Sequence, residues 1–247
     1  MRRLLPEPAA DVSVAELVEE LRPWEDPPAE RPHVAMNFAL TLDGHSAIGG
    51  VSREIGSARD TEMLVGLRTR VDAVMIGAGT MRAERYGRVI RDPDRRAARE
   101  TLGLEPDPLM VVVSGRLDLP WDAPLFTEGF GKVVVFTAAT AEPPPTETPL
   151  EIVRHPAGVD LDAALEHLRH QHGVRALMCE GGALLHGSLH AIEAVDEIFI
   201  THAPKIAGDE RPGLIEGLGP FVRSLEMLWL IFEPATGELF ARYRPET

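Results

Sequence analysis

The chain has 247 residues, with 39 acidic against 25 basic side chains, a formal charge of −14 and 44% hydrophobic content, a balance that suits one globular domain with its own core. The acidic excess argues against a general nucleic-acid or membrane-surface binder, because such partners recruit Lys and Arg. No apolar run approaches a membrane span, the N-terminus lacks a signal-peptide core, and the single cysteine excludes an internal disulfide or a cysteine-based zinc site, so a cytoplasmic protein is expected.

Residues 1–32 read as an N-terminal extension to a domain spanning 33–247. Val12 to Leu21 has helical spacing, and the "RPWEDPPAERP" that follows is too proline-rich to continue it. "HVAMNFAL" predicts a strand and "TLDG" a turn. Ser57 can cap a helix to about Arg70 that presents Met63, Leu64 and Leu67 on one face. "DAVMIGAGT" reads as a buried strand entering a glycine turn. "LMVVVSG" and "KVVVFTA" are two more strands, so rich in β-branched residues that both faces should be covered. Ahead of both, Arg82 to Arg96, "RAERYGRVIRDPDRR", carries six arginines and reads as a loop, either a local anion site or a solvated stretch.

The polar, proline-rich run 138–149 reads as a surface connection, because alternation resumes at "EIVRH" and a helix from about Asp160 to His172, stopped by Gly173. "VRALMCE" is another buried strand, "GALLHGSLH" a short helix, and "VDEIFITHAP" a strand followed by a glycine-rich loop to about Gly219. "LEMLWLIF" and "ELFARYR" flank "PATG" as a hairpin. The expected fold is α/β: a central, mainly parallel sheet flanked by helices, with a C-terminal antiparallel hairpin. Ligands in such sheets bind beyond the carboxyl ends of strands, here the turns after Leu40, Ile76, Val113 and Met178.

Two of these turns are glycine-rich and lead into helices. "GAGT", with Gly77 and Gly79, and "EGGALLHG", from Glu180, can each aim backbone N–H groups at an anion. The alternative for each is tight strand-to-helix packing. No Ser-His-Asp order, G-x-S-x-G elbow or H-E-x-x-H pattern occurs, so hydrolase chemistry has nothing to rest on. His167, His170 and His172 sit near a helix end, where a cation complements the dipole, and no metal is assigned there. Such a sheet suits a cofactor enzyme, in which the protein positions and the cofactor reacts.

"MNFALTLDGHSA", "GLRTRVDAVMIGAGTMRAE", "CEGGALLHGSL" and "VDEIFITHAPKIAG", in this order, resemble the C-terminal reductase domain of the bifunctional riboflavin-biosynthesis deaminase/reductase. The resemblance runs from about His33 to Tyr243. It implies a dihydrofolate-reductase-like fold and a stand-alone, NADPH-dependent reductase acting on a phosphorylated aminopyrimidine riboside, with a homodimer in which "LEMLWLIF" is a plausible contact or else a core strand. By position it implies cofactor contacts at Ala39, Thr80, Glu84, Ser114 and Arg116, the last for a 2′-phosphate, and a pyrophosphate turn at Gly181, Gly182, Ala183, Leu184 and Leu185. Ser52, Arg68, Arg88, Arg91 and Glu180 would meet substrate. Water, Asp43 or Glu180 would supply the catalytic proton, with an Asx turn as the other reading of Asp43. Where the family reads D-D-P-x-L-T-x-R, this chain has "ERYGRVIR", so cofactor use is expected more firmly than the substrate. Rival readings are a reductase of the same fold acting on a pterin or dihydrofolate, one using a deazaflavin, and a non-catalytic nucleotide-binding protein.

Overall fold

The computed structural model describes residues 1–49, 51–208 and 213–246. In chain order the first elements are β1 (Arg2–Leu5), α1 (Val14–Glu19), β2 (His33–Leu40), α2 (Ala58–Arg68), β3 (Ala73–Gly77), α3 (Ala78–Glu84) and α4 (Pro93–Thr101). Then come β4 (Leu109–Val113), α5 (Pro124–Thr127), β5 (Val133–Thr137), β6 (Leu150–Arg154) and α6 (Leu161–Gln171). The chain closes with β7 (Ala176–Cys179), α7 (Ala183–Ala191), β8 (Glu197–His202), β9 (Leu225–Glu233) and β10 (Glu238–Pro245).

Among the described residues the strands form one sheet in the order β1-β9-β10-β8-β2-β7-β3-β4-β5-β6. Every pairing from β8 to β6 is parallel, and β10, β9 and β1 continue the sheet antiparallel. The central parallel strands β3, β4, β5 and β7 are almost wholly apolar because both faces are covered. Every residue of β5 and β7 is buried. Val74, Ile76, Val112 and Met178 face one core with α1 and α2, while Met75, Val111 and Cys179 face the other with Leu165 and Leu168 of α6. Ser57 caps α2 as expected, its hydroxyl accepting from the N–H groups of Arg59 and Asp60.

Three readings change. The first 32 residues pack onto the domain: β1 pairs with β9, and Val14, Leu17, Val18, Leu21 and Trp24 join the core beside Met63 and Leu67. Consequently β9 is not a bare edge. Its Trp229 and Ile231 are buried, and only its first residues, including Leu225 at 39% and Met227 at 37%, are exposed. The arginine stretch is a loop only over residues 85–92: its first residues close α3, and α4 begins at Pro93 behind an Asp92 cap, an N1 proline that starts a helix rather than breaking one. Arg99 of α4 is fully buried, donating from Nε to the Glu105 carbonyl at 2.7 Å and from Nη1 to those of Arg68 and Val71 at 2.6 and 2.8 Å. Burial lowers its pKa to about 10. Of the expected glycine-rich loop to Gly219, residues 209–212 lie outside the described residues.

Candidate active site

Beyond the carboxyl ends of β2 and β7, a cleft of about 780 Å³ opens between the end of β2, the face of α2, residues 84–92 and the β7–α7 turn. That volume lies in the range of small-molecule sites. Glu180, the first residue after β7, and Arg68, the last of α2, meet on its wall. Arg68 Nε and Nη2 each donate to one Glu180 carboxylate oxygen at 2.7 Å, and Arg68 Nη1 donates to the Val89 carbonyl at 3.0 Å. The two side chains are 11% and 3% exposed, so this is a desolvated ion pair. Burial works against the Arg68 charge, but the Glu180 carboxylate more than offsets it and raises the arginine's pKa.

Tyr86 completes the cluster. Its hydroxyl donates to Glu180 Oε2 at 3.0 Å, and the Arg68 guanidinium carbon lies 5.9 Å from its ring centre. Burial first, and the neighbouring carboxylate next, push the phenol well above its usual range, so it is a neutral donor at physiological pH. A second contact ties the floor together: the Ser52 N–H and hydroxyl both donate to Glu84 Oε1, at 2.7 and 2.9 Å. Arg53, Arg85, Arg88, Arg91 and Arg95 also line the cleft, interleaved with Asp60, Glu62 and Asp92. Arg88 is anchored by Asp107 at 3.1 Å and by the Phe130 ring at 4.9 Å.

The two glycine turns, far apart in sequence, touch. The Gly77 N–H donates to the Gly181 carbonyl at 2.9 Å, and a Cβ on Gly181 would lie 3.3 Å from Thr80 Oγ1. Gly181 and Gly182 have φ of +141° and +79°, a left-handed path that glycine adopts without strain. Gly182 caps α7 with no side-chain hydrogen bond, which leaves the first N–H groups of a nine-residue helix for another partner.

Of the residues singled out in the sequence, Ala39, Ser52, Arg68, Glu84, Arg88, Arg91, Glu180, Gly181, Gly182 and Ala183 line the cleft. Gly77 and Thr80 sit just behind it, against the Gly181–Gly182 turn. Leu184 is exposed and Leu185 packs into the core. Ser114 is buried and Arg116 exposed, past the end of β4, one strand beyond β3. Asp43 is elsewhere and has another task. It accepts hydrogen bonds from the Thr41 hydroxyl and from the N–H groups of Gly208 and Ala207, and these hold its carboxyl well below the usual range. A carboxylate so placed ties two loops together. Sequence reasoning missed Tyr86, whose only signal was that it stands where the family has proline. It also missed Asp60 and His186, both on the cleft wall. Burial raises the Asp60 pKa.

Residues 32–228 match the family model of the RibD C-terminal domain. The chain belongs to that family. Among relatives of this RibD C-terminal domain, the 2,5-diamino-6-ribosylamino-4(3H)-pyrimidinone 5′-phosphate reductase of Archaeoglobus fulgidus is 35% identical over 194 residues, 76% of this chain and 87% of that one. The protein of the same name from Methanothermobacter thermautotrophicus is 32% identical over 198 residues, covering 76% and 86%. A solved pyrimidine reductase-like protein of Corynebacterium diphtheriae superposes with a TM-score of 0.80 over 96% of this chain and all of that one, at 22% identity, and so shares the fold. The α/β architecture expected from the motifs, a mainly parallel sheet continued by antiparallel C-terminal strands, is the one found. No helix among the described residues is long and apolar enough to cross a membrane.

Proposed function

We propose that this RibD C-terminal domain is an NADPH-dependent reductase of a ribosylaminopyrimidine 5′-phosphate, reducing the ribosyl carbon and opening the sugar to a ribityl chain. The observation that carries this reading is the buried Arg68–Glu180–Tyr86 cluster, set in a cleft walled by the β7–α7 glycine turn. The names of the related reductases supply the substrate class.

The cradle fits a pyrophosphate. Side chains are absent where Gly181 and Gly182 approach Thr80, and the first turn of α7 has N–H groups to give. Thr80, Gly181, Gly182 and the N–H groups of Ala183, Leu184 and Leu185 would hold the dinucleotide, with Arg116 reaching its 2′-phosphate. NADPH, when bound, supplies hydride.

The chain's own residues do the rest. Arg88 and Arg91, on the cleft wall, hold the substrate phosphate. Glu180 accepts from the pyrimidine's N–H groups and keeps its orientation through Arg68 and Tyr86. The walls exclude water and align the acceptor carbon, which is where hydride transfer gains most. A ribosylamine opens to an imine that must be protonated at nitrogen before it is reduced. Water supplies that proton, and Asp60 is a carboxyl on the cleft wall whose pKa burial raises. Two copies of the chain would pair through the exposed start of β9, near Leu225 and Met227.

The test follows nicotinamide absorbance in purified protein supplied with NADPH or NADH and either 2,5-diamino-6-ribosylamino-4(3H)-pyrimidinone 5′-phosphate or its 2-oxo counterpart. Consumption of NADPH with a pyrimidine riboside phosphate, and none with dihydrofolate, is expected. Arg116→Ala should raise the KM for NADPH roughly 10- to 100-fold, the worth of a charged hydrogen bond, and leave NADH unchanged. Turnover with neither pyrimidine sinks the substrate assignment, and equal losses for both nucleotides sink the role of Arg116.

A further inference from the structure

At the other end of the sheet, beside the amino ends of β5, β6 and β7, three side chains of metal-ligand type converge. Glu151 stands on β6, His167 in the last turns of α6, and His172 at its C-cap. His167 Nε2 lies 3.0 Å and His172 Nε2 3.4 Å from the oxygens of the one carboxylate, and a ligand atom from each of the three falls within 4.8 Å of the others. Around a tetrahedral ion with bonds of ~2.0–2.2 Å, adjacent ligand atoms stand roughly 3.3 Å apart. Hydrogen bonding does not use up the set: His172 Nε2 is buried without a hydrogen-bond partner. The ring of His167 is fixed edge-on against Phe136, with centroids 5.8 Å apart and planes at 88°.

We propose that Glu151, His167 and His172 form a site for a divalent metal of the zinc class. Two imidazoles and a carboxylate are the nitrogen and oxygen donors such an ion takes. Lys132 Nζ, 2.7 Å from Glu151 Oε2, does not block it, because a carboxylate offers about four lone-pair positions and an outer donor fixes its orientation. His172 and Lys132 also line a separate groove of about 440 Å³, which gives an ion a path from solvent. The ion would clip the edge strand β6 to the C-terminal turn of α6. Being remote from the cleft, it acts on stability and takes no part in the reaction. Sequence reading assigned no metal because it saw three histidines on one helix, whereas the completing carboxylate comes from the strand before.

The test uses the full chain, freed of metal by a chelator and titrated with ZnCl2 by calorimetry, with melting followed in parallel. One ion per chain and a higher Tm are expected. His167→Gln and His172→Gln should each weaken binding by at least about 100-fold and abolish the rise in Tm. His170→Gln should leave the Zn2+ affinity of the Glu151 site and its rise in Tm in place, since His170 lies in a separate, exposed ligand-type group with Glu30 and Glu166. Equal Zn2+ affinity in the wild type and both variants overturns the site, as does a wild-type Tm that Zn2+ leaves unmoved. Should a variant fail to fold, Co2+ substitution of the wild type decides. The intense visible bands of tetrahedral cobalt support the site, and their absence refutes it.

Discussion

Arg68 grips Glu180 with two parallel hydrogen bonds of 2.7 Å, closing 112 residues of chain onto one buried ion pair. Removing one partner leaves the other charge buried alone, which costs about 3–5 kcal/mol, whereas replacing both by apolar residues of similar volume is far milder. Glu180→Gln should therefore lower the free energy of unfolding in urea by about that amount, and Arg68→Met with Glu180→Leu should recover most of it. A loss below about 1 kcal/mol in the single variant would mean that the pair is solvated like a surface bridge.

Tyr86→Phe separates orientation from packing. The ring stays against the Arg68 guanidinium, and only the hydroxyl bond to Glu180 disappears. A hydrogen bond to a charged group is worth about 1.5–3 kcal/mol. The expected outcome is a fall of about tenfold or more in kcat/KM for the pyrimidine, with the Kd for NADPH unchanged. Equal effects on both would place Tyr86 in general packing.

Gly187 lies on α7 where a Cβ would come within 1.9 Å of the Glu216 carbonyl oxygen, and the Glu216 N–H donates to the Ala183 carbonyl at 3.0 Å. Gly187→Ala must push the loop around Glu216 off α7. Overpacking of this kind costs about 1–3 kcal/mol. A lower Tm and faster proteolysis within residues 213–219 are expected. Gly79→Ala, with nothing within 4 Å of its Cβ, should leave both readings near wild type.

His186, 3% exposed and packed with its ring centre 5.3 Å from that of Phe38, has its pKa lowered to about 4 by burial. The folded state thus resists a proton that the unfolded chain accepts from about pH 6.5 downward. Stability does not depend on this group above pH 6.5, falls as pH drops from 6.5 to 4, and falls no further below that. The total is about 3 kcal/mol. Urea midpoints measured across this window should decline in the wild type and decline visibly less in His186→Asn. Parallel curves would show that His186 is not the group responsible.

The sequence by itself determined the parallel sheet. The β-branched runs 109–113 and 133–137, the Ser57 cap and the glycine turn at 181–182 all act over a few residues, so composition and spacing suffice to read them. It also located the cleft, because the carboxyl ends of parallel strands are where such sheets bind ligands. The helices hidden among the arginines were not legible, since charge density masked the Asp92 cap and a first-turn proline reads as a breaker. Tertiary structure alone decided the rest. It paired β1 with β9, turned Asp43 into a loop tie, set Tyr86 on Glu180 across 94 residues and brought Glu151 to two histidines. Buried charges and ligand sets are selected by what the crossovers carry together in space, and no local pattern in the chain encodes that proximity.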